Sequence, residues 1–308
     1  MRVMRVSVVI CAYAEEMYGH FREAVESVLD GTYDDVEVVV VVDGTEAVYE
    51  RALEEYSDND QVRVHCNDQN RGLLWSRNRG AKLADGDVVA FMDDDAVADE
   101  RWVEELVRVY EREGVASVGG RMTPIWVAGQ PAYLPEAFYW LVGVTHRGFG
   151  EEGAVRNTFG SNISFRREVF LELDGFDTEI GGRKGDENLQ GGETELAVRL
   201  RTELGGTMYY NPAATVGHKV FDYRTEPRWL LDRAFWQGYS KRAMEVLAPD
   251  SGEEEADFLG KILFRFAPDR LRNAVTGPSL AEAQKFLMLV VLTGCVGAGY
   301  LYGFTKWR

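Results

Sequence analysis

The chain is predicted to be an α/β protein in which a mostly parallel sheet is flanked by helices. Its first half alternates short apolar runs with amphipathic stretches, which is the pattern of β-α-β units. The apolar runs are nearly continuous, as expected for strands that helices cover on both faces. The 308 residues, 45% of them hydrophobic, are enough to bury a large core.

The predicted elements of the first half follow one another in order. The predicted strands span 5–13, 36–43, 62–67, 87–95 and 116–122, and helices fill the intervals up to residue 113. The second half is less regular: an aromatic, Gly-rich segment at 123–150, strands at 158–166 and 207–211, and helices at 192–204 and 227–247. Ligands of such sheets bind at the carboxyl ends of the strands, so the polar residues there are the candidate site.

The composition narrows the possible partners and the compartment. The formal net charge is −17 and only seven of the 34 basic residues are Lys, which is typical of a salt-adapted surface, although an ordinary acidic protein fits too. No basic stripe suits nucleic acid. The three isolated cysteines favour a reducing compartment over disulfides or a structural zinc site. The short first apolar run is a strand rather than a secretory signal.

Carboxylates follow two of the predicted strands. Asp43 ends the second, and Asp93, Asp94 and Asp95 end the fourth. Three consecutive carboxylates repel one another unless a cation joins them, and hard divalent ions such as Mg²⁺ or Mn²⁺ share oxygen ligands with phosphates. A solvated turn or a helix cap is the alternative interpretation.

Two arginines lie near the start of the third predicted helix. Arg71 and Arg77 could turn guanidinium groups, beside free helix N–H groups, toward a diphosphate. Exposed arginines on a helix surface are the simpler alternative.

The order of these motifs resembles the family 2 glycosyltransferases, which have the GT-A nucleotide-diphospho-sugar transferase fold. The resemblance covers about residues 5–245. The matching segments are 11–15 (CAYAE), 42–44 (VDG), 70–72 (NRG), 76–80 (SRNRG), 93–95 (DDD), 160–162 (GSN) and 192–196 (GETEL). Each motif alone is weak, whereas seven in the right order are specific.

The resemblance implies a role for each matching residue. The donor would contact one set of residues: Ala12, Tyr13, Glu15, Asp43, Arg71, Arg77, Asp93 and Asp94. Asp95 would ligate Mg²⁺ or Mn²⁺, and His218 matches a histidine that contacts the metal or the diphosphate. Trp126, Asn162 and Glu195 are candidate acceptor contacts.

Glu193 stands where the family has its catalytic base, which is commonly Asp. Glu195 is the alternative base, unless it pairs with Arg199 one turn further on. A base that takes a proton from the attacking hydroxyl, together with a metal on the leaving diphosphate, implies direct displacement with inversion at the anomeric carbon. A non-catalytic nucleotide-sugar-binding protein is the alternative of another class, and Glu193→Gln distinguishes the two.

The C-terminal part is predicted to associate with a membrane. We expect a catalytic domain at 1–248, an acidic linker followed by an amphipathic basic helix at 249–284, and a transmembrane or membrane-inserted helix at 285–308. The run 286–304 has no charged side chain, and the stretch at 258–272 places apolar residues beside basic ones. Packing of both segments on the catalytic domain remains the alternative.

Membrane association suggests a lipid-linked acceptor. With the salt-adapted composition, the chain resembles enzymes of the archaeal lipid-linked N-glycan pathway. That resemblance implies transfer of a hexuronic acid such as glucuronate, or otherwise of a hexose, from a UDP-linked donor to a dolichyl phosphate-linked saccharide. The catalytic domain would face the cytoplasm at the cell membrane. A synthase that charges dolichyl phosphate directly is the alternative within the class.

Overall fold

The computed structural model describes residues 3–184, 187–249, 260–276 and 279–307, without the side chains of residues 183, 184, 187, 263, 274 and 275. Within the predicted linker and basic helix at 249–284, residues 250–259 and 277–278 are therefore outside the described part. The chain divides into two compact units. The first contains Met1–Thr123, Glu151–Glu179 and Arg199–His218, and the second contains Pro124–Gly150, Ile180–Val198 and Lys219–Arg308.

Four parallel strands form one half of the sheet of the first unit. They are β1 (Val6–Ala12), β2 (Val36–Val42), β3 (Val62–Cys66) and β4 (Val88–Asp93). They lie in the order β3-β2-β1-β4, and every residue of β2 is buried. The pairing of Cys11 with Asp93 brings the carboxyl ends of β1 and β4 to one edge.

Helices follow these strands as predicted. They are α1 (Tyr18–Leu29), α2 (Glu46–Tyr56), α3 (Leu73–Leu83) and α4 (Trp102–Tyr110). Phe21, Val25, Ala52 and Trp102 are buried in one core with the Val-rich strands. The predicted α/β fold class is confirmed, because covered Val-rich strands and amphipathic helices leave this chain few other ways to bury its apolar surface.

The remaining strands of this sheet run antiparallel to their neighbours. They are β5 (Ala96–Ala98), β6 (Val115–Trp126), β7 (Gly153–Val155), β8 (Ile163–Arg166) and β11 (Thr207–Val220); the helix α5 (Arg167–Glu172) follows β8. β8 pairs with β4 and with β6, while β11 pairs with β5 and β7. The strand predicted at 207–211 continues to Val220, so His218 pairs with Ala96, directly after the carboxylates.

The second unit is mainly helical. Its hairpin is β9 (Gly182–Lys184) with β10 (Glu187–Leu189), and its helices are α6 (Gly192–Leu204, which continues into the first unit), α7 (Asp222–Thr225), α8 (Pro227–Leu247), α9 (Ala267–Thr276) and α10 (Leu280–Gly303). A 3₁₀ helix at Glu136–Val142 and a π-helical turn at Ile262–Phe266 complete it.

The C-terminal helices share a core with the aromatic segment. Phe138, Leu230, Phe266 and Leu289 are all buried in this cluster. The division into two units has no boundary at residue 248 or at residue 284, because α8 and α10 pack against each other. As a statement about separately folding parts, the predicted boundaries stay a prediction.

Glycines allow α8 and α10 to approach closely. A Cβ atom added at Gly238 would lie 1.9 Å from the carbonyl oxygen of Val296, and one added at Gly299 would lie 1.8 Å from that of Phe235. Further along, Gly303 lies against Arg242. The contacts advance together along both helices, so the helices run in the same direction side by side.

We predict that Gly299→Ala destabilises the protein by about 1–3 kcal/mol, because the new methyl group forces the two helix backbones apart. Gly297→Ala is the matched control, since nothing lies within 4 Å of its added Cβ. That control should be neutral or stabilising by up to about 1 kcal/mol, the helix-propensity gain of Gly→Ala. Chemical denaturation of the purified full-length chain measures both, and equal effects would contradict the packing.

Candidate active site

Asp43 organises the loop that precedes α3. One of its oxygens accepts from the Asn67 side chain at 2.8 Å and from the Arg71 backbone N–H at 2.9 Å. The other accepts from the Gly72 backbone N–H at 2.8 Å. Gly72 has φ of +92°, which favours glycine. Asp43 therefore holds the start of α3 in place, whatever it contributes to the donor.

The end of β4 places three possible metal ligands together. Asp93, Asp95 and His218 each offer one atom, and these atoms lie within 4.8 Å of one another. The Nε2 atom of His218 is 3.4 Å from Oδ1 of Asp95, and both side chains are buried. Asp95 and His218 were the predicted metal residues. The structure adds Asp93, which the resemblance assigns to the donor.

The chemistry of this cluster fits a divalent cation. Two carboxylates in so small a space repel each other, and their oxygens are ligands that Mg²⁺ and Mn²⁺ accept. An imidazole nitrogen beside them favours a transition metal such as Mn²⁺.

Burial raises the pKa of the Cys11 thiol far above its usual value. Arg77 opposes this increase, and the nearby Asp93 adds to it. Cys11 therefore stays protonated and offers no thiolate.

Arg77 does not lie on the surface as an anion-binding group. Its side chain is buried, and its Nη2 atom donates to Oδ1 of Asp93 at 2.6 Å. The guanidinium also lies within 6.0 Å of the ring centroids of Phe91 and Phe176. Its predicted contact with the donor diphosphate stays a prediction. We assign Arg77 to holding the Asp93 carboxylate, where it offsets part of the acidic charge.

Arg71 is placed differently from Arg77. It is exposed, with its guanidinium 5.5 Å from the ring centroid of Trp75. Its predicted contact with the donor phosphates stays a prediction that this position allows.

The residues after β1 lie near the same edge of the sheet. Ala12 is buried and its carbonyl accepts from the Asp43 N–H at 2.8 Å, which joins the ends of β1 and β2. Tyr13 is 59% exposed and its carbonyl accepts from the Thr45 hydroxyl. Glu15 is exposed at the start of a 3₁₀ turn, and Asp94 is half-buried between the metal-site carboxylates. Their contacts with the donor stay predictions.

Asn162 belongs to the frame of the site. It is fully buried, accepts from the indole N–H of Trp102 at 2.9 Å, and donates to the carbonyls of Arg121 and Ala214. The side-chain amide is thus bonded to the protein at both of its polar atoms, and the predicted acceptor contact stays a prediction. Its neighbour Ser161 accepts from the Asp93 N–H, so the 160–162 motif positions the end of β4.

The predicted base Glu193 and two of the predicted acceptor residues, Trp126 and Glu195, belong to the second unit. Glu193 and Glu195 are half-buried in the first turn of α6, where the helix dipole favours negative charge. Trp126 is half-buried and its ring centroid lies 5.5 Å from that of Tyr139, edge to face. Arg199, the predicted partner of Glu195, donates to the carbonyls of Leu173 and Gly175.

Sequence reasoning missed a cation in this unit. Arg233 on α8 lies within electrostatic range of Glu193, whose negative charge acts on the arginine. The two residues are 40 positions apart, so no local motif joins them. An arginine among the aromatic residues of α8 was the available signal.

A mixed sheet whose parallel strands end at clustered carboxylates and a histidine is the arrangement expected of a GT-A-type sugar-nucleotide transferase. The chain matches the model of glycosyl transferase family 2 over residues 7–174. It belongs to that family and is a glycosyltransferase, which closes the non-catalytic alternative.

Known relatives agree with this assignment. The chain is 50% identical over 302 residues to the glucosyl-dolichyl phosphate glucuronosyltransferase of Haloferax volcanii, covering 97% of this chain and 96% of the relative. A solved mannosyltransferase from Pyrobaculum calidifontis, in complex with GDP-Man and Mn²⁺, is 16% identical with a TM-score of 0.62, covering 97% and 87% of the two chains. A solved structure of GalNAc-T7 with UDP, GalNAc and Mn²⁺ is 19% identical with a TM-score of 0.56, covering 80% of this chain and 51% of that one. At these identities the solved structures show the fold alone.

We predict that Asp95→Asn weakens Mn²⁺ binding by at least about tenfold, because it removes one of two charged oxygen ligands. Asp99→Asn is the control, an exposed carboxylate that is outside the ligand cluster. Titration of free Mn²⁺ by electron paramagnetic resonance measures both variants. Equal affinities in the two variants would show that the cation binds elsewhere.

Proposed function

We propose that the chain transfers a hexuronic acid, with glucuronate as the first choice, from a UDP-linked donor to glucosyl-dolichyl phosphate. The 50% identity to the Haloferax volcanii enzyme over nearly the whole of both chains carries this proposal. A salt-adapted acidic surface fits the same setting. The product would be a lipid-linked saccharide that serves protein N-glycosylation.

Asp93, Asp95 and His218 would hold a divalent cation, which neutralises charge on the leaving diphosphate when it is bound. Arg77 keeps the Asp93 carboxylate in place and limits the acidic excess. Asp43 keeps the loop with Arg71 in a fixed conformation, which leaves that exposed guanidinium available to the donor phosphates. These contacts stabilise negative charge where it develops during transfer.

Glu193 would accept the proton of the attacking acceptor hydroxyl. It lies half-buried in the first turn of α6, where the surrounding protein limits the positions that its carboxylate can take. One base acting on one hydroxyl gives direct displacement, with the new bond forming as the diphosphate leaves. The proposed stereochemical outcome is inversion at the anomeric carbon.

We predict that Glu193→Gln lowers the transfer rate by about 100-fold or more, the usual contribution of a general base. Binding of the UDP-linked donor should be unchanged, because the amide keeps the shape of the side chain. Membranes or vesicles with glucosyl-dolichyl phosphate and labelled UDP-glucuronate measure transfer, and a labelled sugar panel with and without EDTA identifies donor and metal dependence.

Glu195→Gln is the comparison, since Glu195 is the alternative base two residues away. Loss of activity only in that variant would move the base to Glu195. Full activity of both variants on dolichyl phosphate itself would favour the direct synthase, because an ionised phosphate attacks without a base.

We also propose that the second unit docks on the cytoplasmic face of the cell membrane. Among the described helices, α10 is long and apolar enough to cross a bilayer by length and composition, with 22% of its apolar window buried. A core helix that passes this test is mostly buried. Large apolar side chains stay exposed on and before it: Phe264, Leu271, Leu280, Leu287, Val290 and Leu301.

The packing of α8 favours docking in the plane of the membrane over a span. α8 lies beside α10 and carries six charged residues: Arg228, Asp232, Arg233, Lys241, Arg242 and Glu245. A span through α10 would bring several of these into hydrocarbon, at a cost of a few kcal/mol each. If α8 and α10 lie together in the plane of the membrane surface, their charged side chains stay in water and their apolar face is buried in lipid.

Charge near this face is compatible with anionic lipid, although fewer basic groups are available than the sequence suggested. Residues 260–308 contain seven basic and two acidic side chains in a chain of net charge −17. Arg270 pairs with Glu136 and Glu282, and Lys285 pairs with Glu136, so these two cations stabilise the fold. Arg265 and Arg272 are exposed and can meet lipid phosphates.

We predict that Leu287→Gln, Val290→Gln and Leu301→Gln together weaken vesicle binding by at least about tenfold, because each removes apolar area from the membrane face. Val3→Gln, Leu53→Gln and Val127→Gln together are the control, since they are also exposed apolar residues but are not part of α10. Co-sedimentation with vesicles of anionic archaeal-type lipids measures binding. Similar losses in both triple variants would refute a specific face.

A further inference from the structure

Arg233 is a half-buried cation whose buried Nε atom has no acceptor in the described part of the chain. Its side chain is half-buried on α8, and its Nε atom is fully inaccessible and has no hydrogen-bond partner. No carboxylate of the described residues lies within ion-pair distance of its guanidinium. Buried arginines are normally paired, because an unpaired one loses its hydration without compensation.

Two further facts describe the surroundings of this cation. Burial, and next the positive charge of Arg224, lower the pKa of Arg233 to about 10, while Glu193 and Asp232 partly oppose this. The guanidinium is therefore still charged at neutral pH. Burial first, and the charge of Arg224 second, disfavour this cation, and an anionic ligand beside it would offset both.

Arg224 is held beside this site by aromatic residues. Its Nε atom donates to the Tyr223 hydroxyl at 2.9 Å, and its guanidinium lies 5.7 and 5.9 Å from the ring centroids of Tyr223 and Phe221. Those rings are stacked on each other, with centroids 6.2 Å apart. A fixed second guanidinium near Arg233 produces a two-cation arrangement suited to a tetrahedral oxyanion.

The position of Glu193 indicates which anion Arg233 would bind. Glu193 contributes to the electrostatic environment of Arg233, and both residues belong to the second unit. In glucosyl-dolichyl phosphate, one pyranose ring separates the hydroxyls available for attack from the phosphate on the anomeric carbon. A hydroxyl at Glu193 therefore leaves the phosphate within reach of a nearby cation, with the lipid continuing toward an apolar surface in the same unit.

We propose that Arg233, assisted by Arg224, binds the phosphate of the lipid-linked acceptor and so selects a glycosyl phosphate over a neutral glycoside. This inference rests on the proposed function for the identity of the acceptor. The donor is the less suitable source of the anion, because its diphosphate has the metal ligands and Arg71 of the first unit.

Equilibrium binding of two soluble probes to the full-length chain tests the proposal. One probe is a glucosyl octyl phosphate, and the other is octyl glucoside, which has the same sugar and chain without phosphate. The wild type should bind the phosphate probe about ten- to a hundredfold more tightly, as charge-assisted hydrogen bonds provide. Arg233→Gln should lose this preference, and Arg233→Lys should keep part of it.

Arg228→Gln is the matched control, because Arg228 is exposed on the same helix and should leave the preference unchanged. Thermal unfolding separates binding from folding: removal of an unpaired buried charge should leave the unfolding temperature of Arg233→Gln unchanged or higher. A large decrease would indicate a structural arginine and would overturn the proposal.

Other outcomes separate this inference from the proposed function. Retention of the phosphate preference in Arg233→Gln overturns the subsite, and so does a loss of UDP-glucuronate affinity with the preference intact, which would assign the arginine to the donor. A wild type that keeps the Arg233-dependent preference but does not transfer glucuronate would support the phosphate subsite and reject the proposed donor.

Discussion

The crowding of carboxylates at the end of β4 is the constraint on which the site depends. Asp93 and Asp95 offer oxygens within 4.8 Å of each other and of His218. At an effective dielectric constant of 20, two unit charges at this separation repel by about 3 kcal/mol. The fold answers in two ways: a buried guanidinium, Arg77, pairs with Asp93, and the remaining excess leaves a place for a divalent cation. The same carboxylates therefore determine both how Arg77 packs and where a cation can bind.

Each of the two units carries its own electrostatic feature. The first gathers acidic oxygens at a strand edge, which suits a cation and through it a sugar diphosphate. The second places arginines near a half-buried glutamate, which suits a substrate that has both a hydroxyl to activate and an anionic group. Each feature depends on residues far apart in the chain, such as Asp95 with His218 and Glu193 with Arg233. Fixed charges of this kind act in place of mobile solvent when charge moves during transfer.

The pair of helices at the C-terminus combines two properties that are usually separate. One side of α10 packs against α8 so closely that Gly238 and Gly299 are required, while large apolar residues on its other side stay exposed. Close packing fixes the orientation of that apolar face relative to the core of its unit. The proposed lipid-bound acceptor would need such a fixed face, because its tail and its reacting sugar belong to one molecule. The ion pairs of Arg270 with Glu136 and Glu282 attach α9 and α10 to the same core.

The sequence by itself determined the parallel part of the sheet, the helices around it and the strand ends at Asp43 and Asp95, because covered strands and amphipathic helices have periodicities that can be read locally. It also indicated the family, from short motifs kept in order. Only the tertiary structure decided that Arg77 serves Asp93 and that Asn162 belongs to the frame. It likewise decided that Arg233 lies near Glu193, and that α10 packs on α8. These depend on side-chain direction and on contacts between distant segments, and neither leaves a local pattern in the chain.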